Sequence, residues 1–156
     1  MIKVTKKQNT VLEREIRLKN FFKEFLEPEE FEFTIFESKS SGIVLVENIP
    51  FYSLCEHHGL PYFGKATIAY QPHKLICGLS KIPRLVRFMA SSYSTQEHLN
   101  RKIYDFLIDN LEPKNLLVKM KARHLCVEMR GIREKVTTET WECFGFDLSE
   151  FRVGDP

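Results

Sequence analysis

Ser53-Leu54-Cys55-Glu56-His57-His58 gathers a thiol, a carboxylate and two imidazoles within four positions, directly after a strand-like run. A second cluster, His124-Leu125-Cys126, follows another apolar run and precedes Met129-Arg130-Gly131. Gly59 and Pro61 keep the first cluster out of regular structure, so it reads as a loop, where functional groups are often carried. Taken together the clusters read as a split metal site. Zinc takes Cys sulfur and His nitrogen, and catalytic zinc keeps three protein ligands and an open water position. Cys55, His58 and Cys126 can supply that set, Cys126 arriving from a neighbouring strand. A structural zinc would more often want a fourth Cys or His at short spacing after Cys126, and none follows it closely; His124, two residues before it, is read below as a proton-transfer group. Water on such a metal is acidified towards neutrality. His57 and His124, beside it, suit proton transfer near an ordinary pKa of about 6.5. The bare pattern leaves buried thiols and satisfied histidines open as the alternative. Cys77 and Cys143, within apolar runs, read as small core hydrophobes.

Outward from the first cluster, Phe51-Tyr52 precedes it and Asn48-Ile49-Pro50 breaks an earlier strand, Ile43–Val46. Phe31, Phe33 and Ile35 alternate with polar residues and predict a strand with one buried face. Before them, residues 12–26 carry a helical pattern, with Leu12, Ile16, Phe22 and Phe25/Leu26 on one face, stopped at Pro28. Downstream, Tyr62–Tyr70 alternates through Phe63, Ala66, Ile68 and Tyr70, and Leu75-Ile76-Cys77 is a short strand. Ser80 reads as the N-cap of a helix that tolerates Pro83 in its first turn, with Leu85, Phe88 and Met89 as a core stripe. A second helix spans about 95–111, with Leu99, Ile103, Phe106 and Leu107 inward, and ends at Glu112-Pro113. Leu116–Met120 is a strand leading to the second cluster, continued by Val127–Met129, and 137–146 reads as the last strand. This order predicts an α+β fold: an antiparallel sheet with two helices on one face, plus an N-terminal helix.

The 156 residues, 43% hydrophobic and 28% charged, suit one domain with a sizeable core. Residues 1–11 read as a flexible lead into a single domain over 12–156. A formal charge of +2 gives no reason to expect nucleic acid or a membrane as partner. No apolar run approaches the ~20 residues of a membrane span, and the first residues lack a secretory apolar core. Four cysteines suggest no disulfide framework, so a reducing, cytoplasmic setting is expected.

Lys81 and Arg84 sit in the first turn of their helix, where free N–H groups and the dipole favour an anion, and Arg130 is a third cation for it. Gln96-Glu97 opens the next helix and by itself reads as dipole compensation.

Phe51–His58, Gly78-Leu79-Ser80-Lys81, Gln96-Glu97, His124–Cys126 and Met129-Arg130-Gly131 together resemble the GTP cyclohydrolase I family, in order and without gaps from about Val44 to Gly131. The resemblance implies a tunnelling fold, a toroidal homodecamer of two pentameric rings with shared active sites, and Zn2+. It implies hydrolytic opening of the guanine imidazole ring of GTP, loss of formate and rearrangement to 7,8-dihydroneopterin triphosphate, the first step of a pterin, folate or deazaguanine route. Carried over, Cys55, His58 and Cys126 are the zinc ligands and His57 and His124 the catalytic histidines, with Ser80 near the ribose. Lys81, Arg84 and Arg130 clamp the triphosphate, and Gln96 and Glu97 anchor guanine, the glutamate as a buried acceptor that adenine cannot satisfy. Arg17 falls where a further phosphate ligand stands, but the Thr-Pro expected before it is absent. Two alternatives remain: an enzyme that stops at the ring-opened formamidopyrimidine, and a non-catalytic purine- or pterin-binding zinc protein.

Overall fold

The structure, a computed structural model, describes residues 9–151; residues 1–8 and the last five lie outside it. Helix α1 (Val11–Leu26) starts where Thr10 and Glu13 cap each other's backbone N–H, a capping box that fixes its first turn. None of its residues is buried. Leu12 and Ile16, expected inward, are exposed, and of the expected apolar face only Phe22, Phe25 and Leu26 are half-covered.

Strand β1 (Ile35–Glu37) pairs only with β4, so the strand expected from Phe31 is three residues long. Phe31 and Phe33 still turn inward, edge-on to Phe88 and Phe106, because packing does not require a ladder. β2 (Val44–Cys55) runs through the expected break: Asn48 takes a left-handed φ of 58° and the register slips between Val46 and Ile49. A bulge absorbs the irregularity and the strand continues. β3 (Pro61–Gln71) pairs antiparallel with β2, and β4 (Leu75–Cys77) follows. In β3 the core-facing member of the alternation is Tyr62; Phe63 has the opposite parity and faces away.

Helix α2 (Lys81–Ala90) buries Ile82, Leu85, Val86 and Ala90. Ser80 precedes it in an αR conformation with no side-chain cap bond, so it is not the cap its position suggests. Strand β5 (Tyr93–Ser94) adds two residues parallel to Leu54–Cys55. Helix α3 (Gln96–Leu111) is capped by the Thr95 hydroxyl and buries Leu99, Ile103, Leu107 and Leu111. β6 (Asn115–His124) pairs with β3 and ends in a single turn of helix, α4 (Leu125–Glu128), where a continued strand was expected. β7 (Thr138–Phe144) closes the edge, and a short 3-10 turn, Leu148–Phe151, ends the described chain.

The main sheet runs β5-β2-β3-β6-β7, antiparallel apart from the short β5 pairing. Its inner face is a stack of cross-strand rows: Ile49–Ala66–Met120, Phe51–Gly64–Ala122 and, last, Ser53–Tyr62–His124. α2 and α3 lie on these rows and complete one core. Gly64 is required in its row, since a Cβ there would stand 1.9 Å from the Lys121 carbonyl oxygen. The close approach of β3 to β6 therefore depends on the missing side chain, and it sets where the next row, with His124, falls.

Candidate metal centre

Cys55 is not on a loop: it is the final residue of β2, buried, with its backbone N–H donating to Leu60 O at 2.8 Å. The chain then turns at once, with His58 N (3.3 Å) and Gly59 N (2.7 Å) both donating to Cys55 O, and Gly59 takes a φ of 64°. The turn carries His58 back over Cys55, leaving Cys55 Sγ 3.5 Å from His58 Nδ1. Cys126 reaches the same place from α4, in the one turn of helix beyond the end of β6. The neighbouring strand expected to deliver it is β6 itself, which stops two residues short. Tyr62 pairs with Ser53 on one side and His124 on the other, so these strand ends meet at one rim of the sheet.

The ligand atoms of Cys55, His58 and Cys126 all lie within 4.8 Å of one another. A tetrahedral zinc with Zn–S of about 2.3 Å and Zn–N of about 2.0 Å separates sulfur from nitrogen by about 3.5 Å and two sulfurs by about 3.8 Å. The trio is therefore close to a zinc face before any adjustment. Burial pushes the Cys126 thiol up, and the adjacent Cys55 pushes it further. Two thiols side by side resist joint ionisation, and a cation between them reverses that preference.

Among the described residues no other group of His, Cys, Asp and Glu could hold a metal in this way. Two sulfurs and one imidazole are a donor set suited to zinc, and they leave a fourth position open.

His124 is half-buried beside this trio, and two buried residues hold it. Gln96 is 1% exposed. Its Nε2 faces Met120 O (3.1 Å), Thr138 O (3.1 Å) and Thr140 Oγ1 (3.2 Å). Carbonyl oxygens only accept, so the amide nitrogen must point there and Oε1 must face His124. His124 Nε2–H then donates to Gln96 Oε1 at 2.8 Å, leaving Nδ1 as the free ring nitrogen. Tyr62 stacks flat on the imidazole, with ring centres 4.7 Å apart and planes 3° from parallel. Burial holds the His124 pKa below its ordinary value, opposed by the Glu97 carboxylate nearby. Burial also pushes the Tyr62 phenol up to about 12.

The other expected residues divide. His57 is exposed, its ring 6.2 Å from that of His58 and its Nε2 4.0 Å from Glu56. Glu97 is exposed in the first turn of α3 rather than buried, because a single chain provides nothing to cover it. Arg130 is exposed just beyond α4. Lys81 and Arg84, joined by Arg87 one turn on, line a cavity of about 580 Å³ whose facing wall is Pro28–Glu32, and Lys81 Nζ donates to Glu32 O at 2.7 Å. Ser80 is exposed at the same end of α2. The opposite end of α2 is the one at the metal trio, because it leads into β5 alongside Leu54 and Cys55. Ten helical residues, about 15 Å, lie between. Arg17 is drawn to α1's own start, donating to Asn9 Oδ1 at 2.6 Å and Glu13 O at 3.1 Å.

The link from Gln96 to His124 and the Tyr62 stack have a faint sequence signal: Gln96 falls in the inward series with Leu99, Ile103 and Leu107. A polar residue in such a series requires partners, but only the fold shows which ones.

Residues 2–148 match the model of the GTP cyclohydrolase I family. A GTP cyclohydrolase 1 of Hydrogenobaculum sp. (strain Y04AAS1) is 47% identical over 140 residues, 88% of this chain and 77% of the relative. One from Campylobacter jejuni (strain RM1221) is 51% identical over 106 residues, 68% of this chain and 56% of the relative. The bifunctional protein FolKE of Lactococcus lactis subsp. cremoris (strain MG1363) is 46% identical over 132 residues, and the match covers 38% of it. Among solved structures, an apo archaeosine synthase QueF-Like superposes with a TM-score of 0.51 at 14% identity, over 66% of this chain and 95% of that one. That likeness is one of fold, the tunnelling fold.

Proposed function

The chain belongs to the GTP cyclohydrolase I family, and from that premise we propose that it is a zinc-dependent hydrolase that converts GTP to formate and 7,8-dihydroneopterin triphosphate. The observation that carries the proposal is the convergence of Cys55, His58 and Cys126, with ligand atoms within 4.8 Å, next to an anchored His124. A zinc ion held by these three residues would supply Lewis acidity, lowering the pKa of a water towards neutrality.

His57, exposed beside His58, is free to deliver a proton to guanine N7 and make C8 electrophilic. His124, its Nε2–H committed to Gln96, exchanges protons through Nδ1. Glu97 accepts from guanine N1–H and the exocyclic amine, donors that adenine lacks in that arrangement; leaving such an acceptor unpaired disfavours the wrong purine. Lys81, Arg84 and Arg130 bind the triphosphate, with Ser80 beside the ribose, and contribute binding energy remote from the reacting ring. Arg17 would have to release Asn9 and Glu13 to join them. For Gln96 the hydrogen bonds favour a different role from guanine anchoring: its amide is fully used inside the chain, which suits it to orienting His124.

The distance along α2 between Lys81 and Arg84 and the metal trio supports a homo-oligomer in which these cations of one copy serve the metal site of another, a decamer of two pentameric rings. Four free cysteines among the described residues support a reducing cytoplasmic setting.

The test is formate release from GTP, with oxidised neopterin fluorescence as a second product signal, in untreated protein, in chelator-treated protein and in Cys126→Ala. Both signals in the first and neither in the others is the expected result. GTP binding without formate would instead support a non-catalytic purine-binding role, and ring opening without the rearranged product an enzyme that stops at the formamidopyrimidine.

A further inference from the structure

Cys126 has an insecure seat. Its helix, α4, is a single turn with no side-chain cap on His124, and residues 129–137 after it are exposed and neither helix nor strand. One turn of helix fixes several dihedrals for very few hydrogen bonds and does not hold itself. Yet a metal site needs its sulfur placed within tenths of an ångström.

What spans the turn is an ion pair. Arg123, the penultimate residue of β6, donates through Nε to Glu128 Oε1 at 2.7 Å and through its NH2 group to Glu128 Oε2 at 2.5 Å. The two residues flank Cys126 in sequence, one in the strand and one at the end of α4. Isolated surface pairs contribute little, but this one is bidentate, and the Glu128 side chain keeps only 12% of its exposure. The guanidinium is itself held, 5.6 Å from the centre of the Phe63 ring, which stacks in turn on Tyr52. Tyr52, Phe63 and Arg123 form one cross-strand row on the outer face of the sheet, directly behind the inner row Ser53–Tyr62–His124.

We propose that the Arg123–Glu128 pair is a latch that positions Cys126 for the metal, so that these two residues, though not ligands, set the affinity of the site. The proposal rests on the zinc reading given above. It deepens that reading by making the outer face of the sheet part of the site's support.

The test is a double-mutant cycle on the full chain read by zinc affinity, using competition with a chromophoric chelator. The variants are Arg123→Gln, Glu128→Gln and the two combined, with thermal unfolding of each metal-free protein as a control for the fold. Each single change is expected to weaken zinc binding about tenfold, within the range seen when residues outside the ligand shell are removed. The double change is expected to cost no more than either single one, because the pair is already broken. Metal-free unfolding temperatures should stay within a few degrees of one another.

Single variants that bind zinc as tightly as the unaltered protein would overturn the latch, and so would losses that multiply to about a hundredfold in the double variant. Protein that takes up zinc but releases no formate would count against the proposed activity and leave the latch intact. Unaltered protein that takes up no zinc would overturn both.

Discussion

Replacing Gln96 by Met keeps an unbranched side chain of similar length and removes every polar atom. The amide group faces three acceptors with its two N–H groups and accepts one bond from His124, at 2.8–3.2 Å. About three hydrogen bonds are therefore lost, each worth about 1 kcal/mol net, and buried partners left unpaired add to the cost. A loss of about 2–4 kcal/mol follows, which for a chain of this size lowers the unfolding temperature by about 5–15 °C. Activity should fall further than stability alone explains. His124 loses the bond that fixes its ring and tautomer, and misplacement of a reacting group by about 1 Å can cost about a hundredfold. Steady-state kinetics on GTP at a temperature where the variant is folded should show kcat reduced about a hundredfold, with KM within about threefold of the parent. A large rise in KM with kcat retained would refute the reasoning, because Gln96 would then be binding substrate. An unchanged unfolding temperature would refute it too, by removing the network.

Tyr62 and Tyr70 are both buried, and burial raises each phenol from 10 to about 12. The stability this implies is fully present below pH 10 and is lost as pH rises towards 12, because the unfolded chain gives up those protons first. Unfolding free energies from urea titrations at pH 9 to 12 should fall across that window by a few kcal/mol in total, and Tyr62→Phe should flatten the fall. Gly64→Ala places a methyl 1.9 Å from a backbone oxygen of β6. Relief requires the strands to part, so a loss of about 3 kcal/mol or more in urea unfolding is expected. Gly131→Ala, which meets nothing within 4 Å but keeps a φ of 62°, should cost only about 1 kcal/mol in the same assay.

Much of the fold was legible because alternation and helical spacing are strong where one face is buried. Ala66, Ile68 and Tyr70, and Leu99, Ile103 and Leu107, were found inward as their periods indicate. The errors have physical causes. Asn48-Ile49-Pro50 looks like a break because Asn and Pro punctuate chains, but a bulge let β2 carry on to Cys55. Leu12 and Ile16 have the spacing of a packed face, and a single chain offers them nothing to pack against. Ser80 has the residue type of a cap without the backbone conformation.

The metal trio was legible as residue types, but its geometry was not. A one-turn helix after β6 leaves almost no periodic signal, and the pairing register that brings Tyr62 between Ser53 and His124 is a property of the whole sheet. Arg123 and Glu128 were missed for the same reason: an i, i+5 ion pair across a strand–helix junction matches neither a strand nor a helix rule.

The central claim is that Cys55, His58 and Cys126 together hold zinc with one position left open. X-ray absorption at the zinc edge of the metal-loaded protein tests it directly. The expected shell is two sulfurs at about 2.3 Å, one imidazole nitrogen at about 2.0–2.1 Å and one further light atom from solvent. A shell of three or four sulfurs, or one with no sulfur at all, would contradict it.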